Sequence, residues 1–227
     1  MSEEETVERP VGIARDSVSL QGDIGVPVGA TGIVVFAHGS GSSRLSPRNR
    51  FVAEELRESG LGTLLMDLLT PEEEEIDART RELRFDIDLL ARRLIGAVDW
   101  LRSDAETRNL NVGCFGASTG AAAALVAAAQ KPDVVKAVVS RGGRPDLATP
   151  FLPRVKAPTL LIVGGDDSPV IQMNEDAMRL LRCEKKLEII PGATHLFEEP
   201  GKLEEVARLA ADWFVRYLGL DAARAAA

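Results

Sequence analysis

The stretch Asn111–Gln130, NVGCFGASTGAAAALVAAAQ, limits the possible folds more than any other part of the chain. Val112–Ala117 is a short apolar run that suits a strand buried on both faces. Thr119–Gln130 is rich in alanine, the best helix former. Ser118 stands between them in Gly116-Ala117-Ser118-Thr119-Gly120. A strand that passes straight into a helix must turn sharply at that serine, and the turn presses the two backbones together. The positions two before and two after the serine must then be nearly free of side chain, and both are glycine. This is a G-x-S-x-G turn in a strand–turn–helix setting, the nucleophile elbow. It lifts the hydroxyl off the sheet edge and aims the first amides of the helix at the same point.

The rest of the chain alternates between strand and helix patterns. Val11–Pro27 reads as an antiparallel pair with turn residues around Gln21-Gly22-Asp23. Buried strands are expected at Ile33–Ala37, Thr63–Leu69, Val134–Val139, Thr159–Val163 and Leu187–Ile190. Helices are expected over about Pro47–Ser59, Pro169–Cys183 and Gly201–Leu218. From Thr80 to Arg102 the residues Leu83, Ile87, Leu90, Leu94, Val98 and Leu101 step by three and four, which predicts one long amphipathic helix. The run Glu72–Glu75, after Thr70-Pro71, reads as charge on a loop or short helix, with a solvated surface turn the favoured reading. This order implies an α/β fold: a mostly parallel, doubly wound sheet of about eight strands with an antiparallel N-terminal edge. The 227 residues suit a single domain spanning 1–227, with 1–9 and 221–227 as flexible ends. In such sheets ligands bind at the carboxyl ends of the strands, where the polar loops of this chain fall.

Charge and composition narrow the partners. A net charge of −8 argues against nucleic acid and against an anionic membrane surface. No apolar run approaches the length of a membrane span. The acidic start, MSEEETVERP, lacks the order of a secretion signal, so a cytoplasmic location is expected. Cys114, in a core strand, and Cys183, on a helix, are then expected as free thiols rather than a disulfide. Two histidines and two cysteines, scattered along the chain, offer no spacing for a metal site, and no cofactor is expected.

A serine hydroxyl is a poor nucleophile until a base takes its proton, and histidine is the usual base near neutral pH. The candidates are His38 and His195. In elbow-type sites the partners follow the serine in the order acid, then histidine, which selects His195. The acid should follow a strand between them, where Asp166 and Asp167 both qualify. Ser168-Pro169 already supplies a helix cap and a first helical residue, which frees the aspartates. For the oxyanion of a tetrahedral intermediate, the backbone N–H of Thr119 is one expected donor. The loop His38-Gly39-Ser40-Gly41 supplies the other, with Ser40 the first choice. Arg44, Arg141 and Arg144 lie in loops at the same edge. They could clamp a substrate carboxylate or phosphate, or pair with surface acids; Arg141 and Arg44 are retained as candidate substrate-binding residues.

With these residues in hand, the chain resembles the α/β-hydrolase superfamily over essentially its whole length. Within it, the chain is most similar to the dienelactone hydrolase-like group. The family's Gly-x-x-Asp-x-x-Val pattern maps onto Gly164, Asp167 and Val170, which makes Asp167 the implied triad acid. Its Gly-x-x-His ending maps onto Gly192-Ala193-Thr194-His195. The segment Arg141–Ala157 is too short for the cap domain that many relatives insert there. HGSGSSRLSPRNR, GASTGAAAAL, SRGGRPDL and LLIVGGDDSPV also resemble a subgroup sometimes fused to a phosphoribosyltransferase-like domain, which is not expected here. Dienelactone hydrolases proper carry a cysteine nucleophile, whereas this elbow carries Ser118. The resemblance therefore implies a serine hydrolase of small-molecule esters or lactones, anionic ones if the arginines take part. An acyltransferase, a peptidase or a non-catalytic binding relative are the alternatives.

Overall fold

The structure, a computed structural model, describes residues 8–15 and 18–219, and the structural statements below concern those residues. Strands β1 (Arg9–Arg15) and β2 (Val18–Gly25) pair antiparallel. Then follow β3 (Gly32–Ala37), α1 (Pro47–Glu58), β4 (Gly62–Met66), α2 (Pro71–Thr80) and α3 (Ile87–Ser103). The elbow strand β5 (Asn111–Ala117) leads into α4 (Thr119–Gln130). The chain ends with β6 (Val135–Arg141), β7 (Thr159–Gly164), α5 (Ser168–Leu180), β8 (Lys185–Ile190) and α6 (Lys202–Leu218). The eight-stranded sheet has the order β1-β2-β4-β3-β5-β6-β7-β8. It is antiparallel through β1, β2 and β4 and parallel from β4 to β8.

The apolar strands are apolar throughout because both of their faces are covered. On β5, Val112 and Cys114 join a core that includes α3 and α4, while Phe115 joins a second core with α1 and α6. On β6, Val138 faces the first and Ala137 and Val139 the second. Helix α4 is buried along its length, and alanine lets it lie close to the sheet and to α3. Between β6 and β7 the chain makes short 3-10 turns, Pro145–Ala148 and Leu152–Arg154, with no cap domain. The carboxyl ends of the parallel strands are therefore open on that side.

Several local expectations are corrected. Gln21-Gly22-Asp23 is not a turn but the interior of β2, where Gly22 pairs with Val11 on one side and Met66 on the other. A methyl group at Gly22 would lie 3.1 Å from Leu64 and 3.2 Å from Leu65 O, so close packing accounts for this glycine. Of the loop and the short helix left open for the acidic run, the helix is found: the run opens α2, with Glu72 and Glu75 exposed and Glu73 and Glu74 half-buried. Thr70 caps that helix, Pro71 begins it, and the glutamates sit in its first turn, where the helix dipole favours negative charge. The long helix from Thr80 is broken. Arg81 is left-handed at φ 59°, Leu83–Phe85 form a 3-10 turn, and Asp86 caps α3 through Leu89 N–H at 2.9 Å. Cys183 lies beyond the end of α5 rather than on it; both cysteines are free. At the N-terminus, Glu8 pairs with Arg50 (2.6 Å) and Arg57 (2.8 Å), and Arg9 begins β1. The remaining flexible-end expectations, 1–7 and 221–227, lie outside the described residues.

Candidate active site

At the elbow, Ser118 adopts φ 52° and ψ −120°, a conformation that costs energy for any residue with a Cβ. Its surroundings hold it there. Ser118 N–H donates to Arg141 O (3.2 Å), and Ser118 O accepts from Arg144 N–H and Ala121 N–H, each at 3.1 Å. The two glycines follow from the crowding. A methyl group at Gly116 would lie 2.4 Å from Ala121 Cα, and one at Gly120 would lie 2.2 Å from Ala37 O. Both distances are far inside van der Waals contact, so β3, β5 and α4 could not close with any larger residue. Gly39 likewise lets the loop after β3 approach the serine: a methyl group there would lie 3.1 Å from Ser118 Cβ.

The two residues expected at the oxyanion site are brought together. Ser40 Oγ and Thr119 Oγ1 share a hydrogen bond of 2.9 Å. Among the described residues, neither backbone N–H donates to another group. Helix α4 also lacks a side-chain cap, so its first amides are open toward the elbow.

The two histidines have different surroundings. His38 is buried, and both ring nitrogens are used by backbone. Leu68 N–H donates to Nε2 (3.0 Å), which places the proton on Nδ1, and this donates to Gly39 O (2.9 Å). Burial lowers its pKa, in keeping with a neutral ring that ties the loop after β3 to the loop after β4. His195 instead has an exposed edge, with Nδ1 2.6 Å from Asp167 Oδ2. Asp167 occupies the cap position of α5, yet its carboxylate makes no cap bond there and is turned to the imidazole. The expectation that Ser168 caps this helix is thus corrected: Ser168 is its first residue. Asp166 is exposed.

The loops carrying Asp167 and His195 are packed without room to spare. A methyl group at Gly164 would lie 2.4 Å from Ala193 O, and one at Gly142 would lie 3.4 Å from the His195 ring. The turn after β6 therefore touches the serine through Arg141 O and Arg144 N–H, and the imidazole through Gly142. Thr194 braces the histidine loop, donating from N–H (3.1 Å) and Oγ1 (2.6 Å) to the two oxygens of Glu199. Asn174, fully buried on α5, donates to Gly143 O (3.0 Å) and Val170 O (2.8 Å), bracing the turn after β6. Sequence reasoning passed over both braces. They join partners whose proximity no spacing reveals.

The three arginines are held in different ways. Arg44 is held by Asp67 (2.5 Å) and Asp23 (3.4 Å), and its own N–H also donates to Asp67 (2.7 Å). Arg144 grips Asp146 through two bonds of 2.9 and 2.7 Å. Arg141 is the last residue of β6 rather than part of a loop, and it is only 7% exposed. Its side chain runs to Asn49 on α1, and burial, with Arg48 nearby, lowers its pKa to about 10. Arg44 and Arg144 are thus committed to carboxylates of the chain, whereas the buried Arg141 guanidinium keeps Nε and Nη1 without a hydrogen-bond partner among the described residues.

The model of the dienelactone hydrolase family matches residues 20–220. The chain belongs to that family. A crystal structure of a dienelactone hydrolase from Anabaena variabilis is 65% identical, with a TM-score of 0.94, over 95% of this chain and all of that one. A Mycobacterium tuberculosis protein provisionally named a phosphoribosyl transferase is 56% identical over 211 residues, 93% of this chain and 47% of that protein. The chain thus spans about half the length of that relative. Est1E from Butyrivibrio proteoclasticus shares the fold, with a TM-score of 0.77 at 16% identity, over 91% of this chain and 98% of that one. Within the family's frame, the cysteine nearest the elbow is Cys114 on β5. It is fully buried in the core, and burial pushes its thiol up to about 12, so it supplies no thiolate.

Proposed function

We propose that the protein is a serine hydrolase of carboxylic esters or lactones that works through an acyl-enzyme on Ser118. The observation that carries this reading is the 2.6 Å hydrogen bond between His195 Nδ1 and Asp167, formed in a loop packed against the turn that also holds Ser118. With Nδ1 engaged by the carboxylate, Nε2 is left as the basic nitrogen. In the proposed reaction Ser118 Oγ attacks the carbonyl carbon while Nε2 takes its proton. Asp167 holds the tautomer and stabilises the imidazolium. The oxyanion is bound by the N–H groups of Thr119 and Ser40. The imidazolium returns its proton to the departing alcohol oxygen. A water activated by the same nitrogen then releases the acid and frees Ser118.

The Ser118 hydroxyl makes no hydrogen bond among the described residues. A hydrogen bond from Oγ to Nε2 is expected to form when substrate fills the site, because catalytic hydrogen bonds are often long or unmade in empty sites. A fluorophosphonate probe tests the reading. It should add one phosphonyl group to the wild-type protein, mapped to Ser118, and none to Ser118→Ala. Absence of labelling at Ser118, or unchanged labelling of the variant, would contradict the assignment.

A further inference from the structure

One buried titratable side chain takes no part in the proposed reaction. His38 is only 6% exposed, and both of its ring nitrogens are bonded to backbone. The bond from Nδ1 ends on a particular peptide. Gly39 O, which accepts it at 2.9 Å, belongs to the Gly39–Ser40 peptide, and the N–H of that same peptide is the Ser40 donor proposed for the oxyanion. A trans peptide is planar, with C=O and N–H on opposite sides. Whatever aims the carbonyl therefore aims the N–H.

The neighbouring residues leave that aim to the imidazole. Gly39 approaches Ser118 too closely to carry a side chain without displacing it, so no Cβ restricts the rotation of the peptide that follows. Gly39 O also accepts from Ser42 N–H (3.2 Å), which closes a turn with Gly41, at φ 68°, in its third position. The ring itself is fixed, because Leu68 N–H donates to Nε2 (3.0 Å) from the loop after β4 and so sets both the tautomer and the ring's direction. Ser40 is tied from its other end by the 2.9 Å bond between its Oγ and Thr119 Oγ1. Among the described residues, Ser40 N–H has no backbone acceptor.

We infer that His38 is a positioning residue: its Nδ1–H, acting through Gly39 O, orients the Ser40 N–H toward the oxyanion. The inference rests on the serine-hydrolase reading and gives that reaction a further residue. A plain staple between two loops is the competing role for the ring. The turn does not require one at this carbonyl, since Ser42 N–H already closes it. What the second donor on Gly39 O adds is a fixed peptide plane whose far side faces the elbow. Losing one oxyanion donor outright costs about 10²–10³ in kcat, and misaiming it costs part of that.

The two bonds of the ring can be removed separately. Asparagine carries an N–H donor near the place of Nδ1 and nothing at Nε2, whereas glutamine puts its amide near Nε2 and has no donor at Nδ1. The test measures kcat and kcat/KM for p-nitrophenyl acetate, and the urea midpoint, in the wild type, His38→Leu, His38→Asn and His38→Gln. Fluorophosphonate labelling of wild-type Ser118 is run in parallel. His38→Leu should lower kcat and kcat/KM together by about ten- to a hundredfold. His38→Asn should recover most of that loss and His38→Gln should not, whatever their urea midpoints. An unchanged kcat in His38→Leu, equal kcat in the Asn and Gln variants, or kcat that follows the urea midpoint across the series would overturn the inference and leave the hydrolase reading standing. So would an NMR spectrum of histidine-labelled wild type with the His38 proton on Nε2, a measurement that needs no variant to fold. If Ser118 is not labelled, the hydrolase reading falls and the inference falls with it.

Discussion

At the scale of single residues, the chain distinguishes two histidines by their place in a loop rather than by their neighbours in sequence. His38 and His195 each follow a strand, and chain order and the family's Gly-x-x-His ending favoured the second. The structure gives the physical difference: His38 spends both nitrogens on backbone, while His195 spends one on Asp167. The choice between Asp166 and Asp167 could not be read from spacing alone, because adjacent residues after a strand point in opposite directions and a register error of one exchanges them. The family pattern pointed to Asp167, and the carboxylate at 2.6 Å is that of Asp167.

His38 also makes a stability prediction. Its folded pKa lies below the ordinary value of 6.5. Below that pH the unfolded chain takes up a proton that the folded chain refuses, so stability falls as pH falls toward the folded pKa. The slope is at most about 1.4 kcal/mol per pH unit, and the contribution is fully present above pH 6.5. Urea unfolding at pH 7.5 and 5.5 should show this loss in the wild type and less of it in His38→Asn. Equal slopes for the two proteins would contradict a buried neutral imidazole.

At the scale of elements, the pattern was most legible where a segment is long and its burial is one-sided or complete. The core strands, α1, α5 and α6 fall close to where the apolar runs place them. The reading failed between Thr80 and Asp86. Leu83 continues the three-and-four spacing of α3 but belongs to a separate turn. Arg84 grips the buried Asp77 of α2 through Nε (2.5 Å) and N–H (3.0 Å), which fixes the break. That contact depends on a left-handed Arg81, and such a turn has no periodic signature. The capping box was written in the sequence as Thr70-Pro71-Glu72-Glu73, with Glu73 returning a bond to Thr70 N–H (2.9 Å). Thr70→Ala should therefore destabilise the protein by about 1 kcal/mol, measured by urea unfolding. An unchanged midpoint would mean that this helix end needs no cap.

At the scale of the whole molecule, the sheet order is what makes a site from distant residues. Parallel strands β3, β5, β6, β7 and β8 all end on one edge, so Ser40, Ser118, the Arg141–Arg144 turn, Asp167 and His195 meet there despite their separation in the chain. That much follows from alternating strands and helices. The sealing of the edge does not: the Thr194–Glu199 brace, Asn174 beneath Gly143, and the ion pairs that occupy Arg44 and Arg144 are three-dimensional accidents of which loop lies beside which. The last of these could not be foreseen from the sequence, which places Arg44 and Arg144 at the right edge without showing which carboxylates hold them.

The account's central claim is that Ser118 and His195 act as one unit, and a double-mutant comparison addresses it most directly. The measurement is kcat for p-nitrophenyl acetate by wild type, Ser118→Ala, His195→Ala and the double variant. Each single change should cost several orders of magnitude, about 10⁶ by analogy with other serine triads, and the double variant should be no slower than the worse single one. Turnover that survives in Ser118→Ala, or losses that multiply in the double variant, would contradict it.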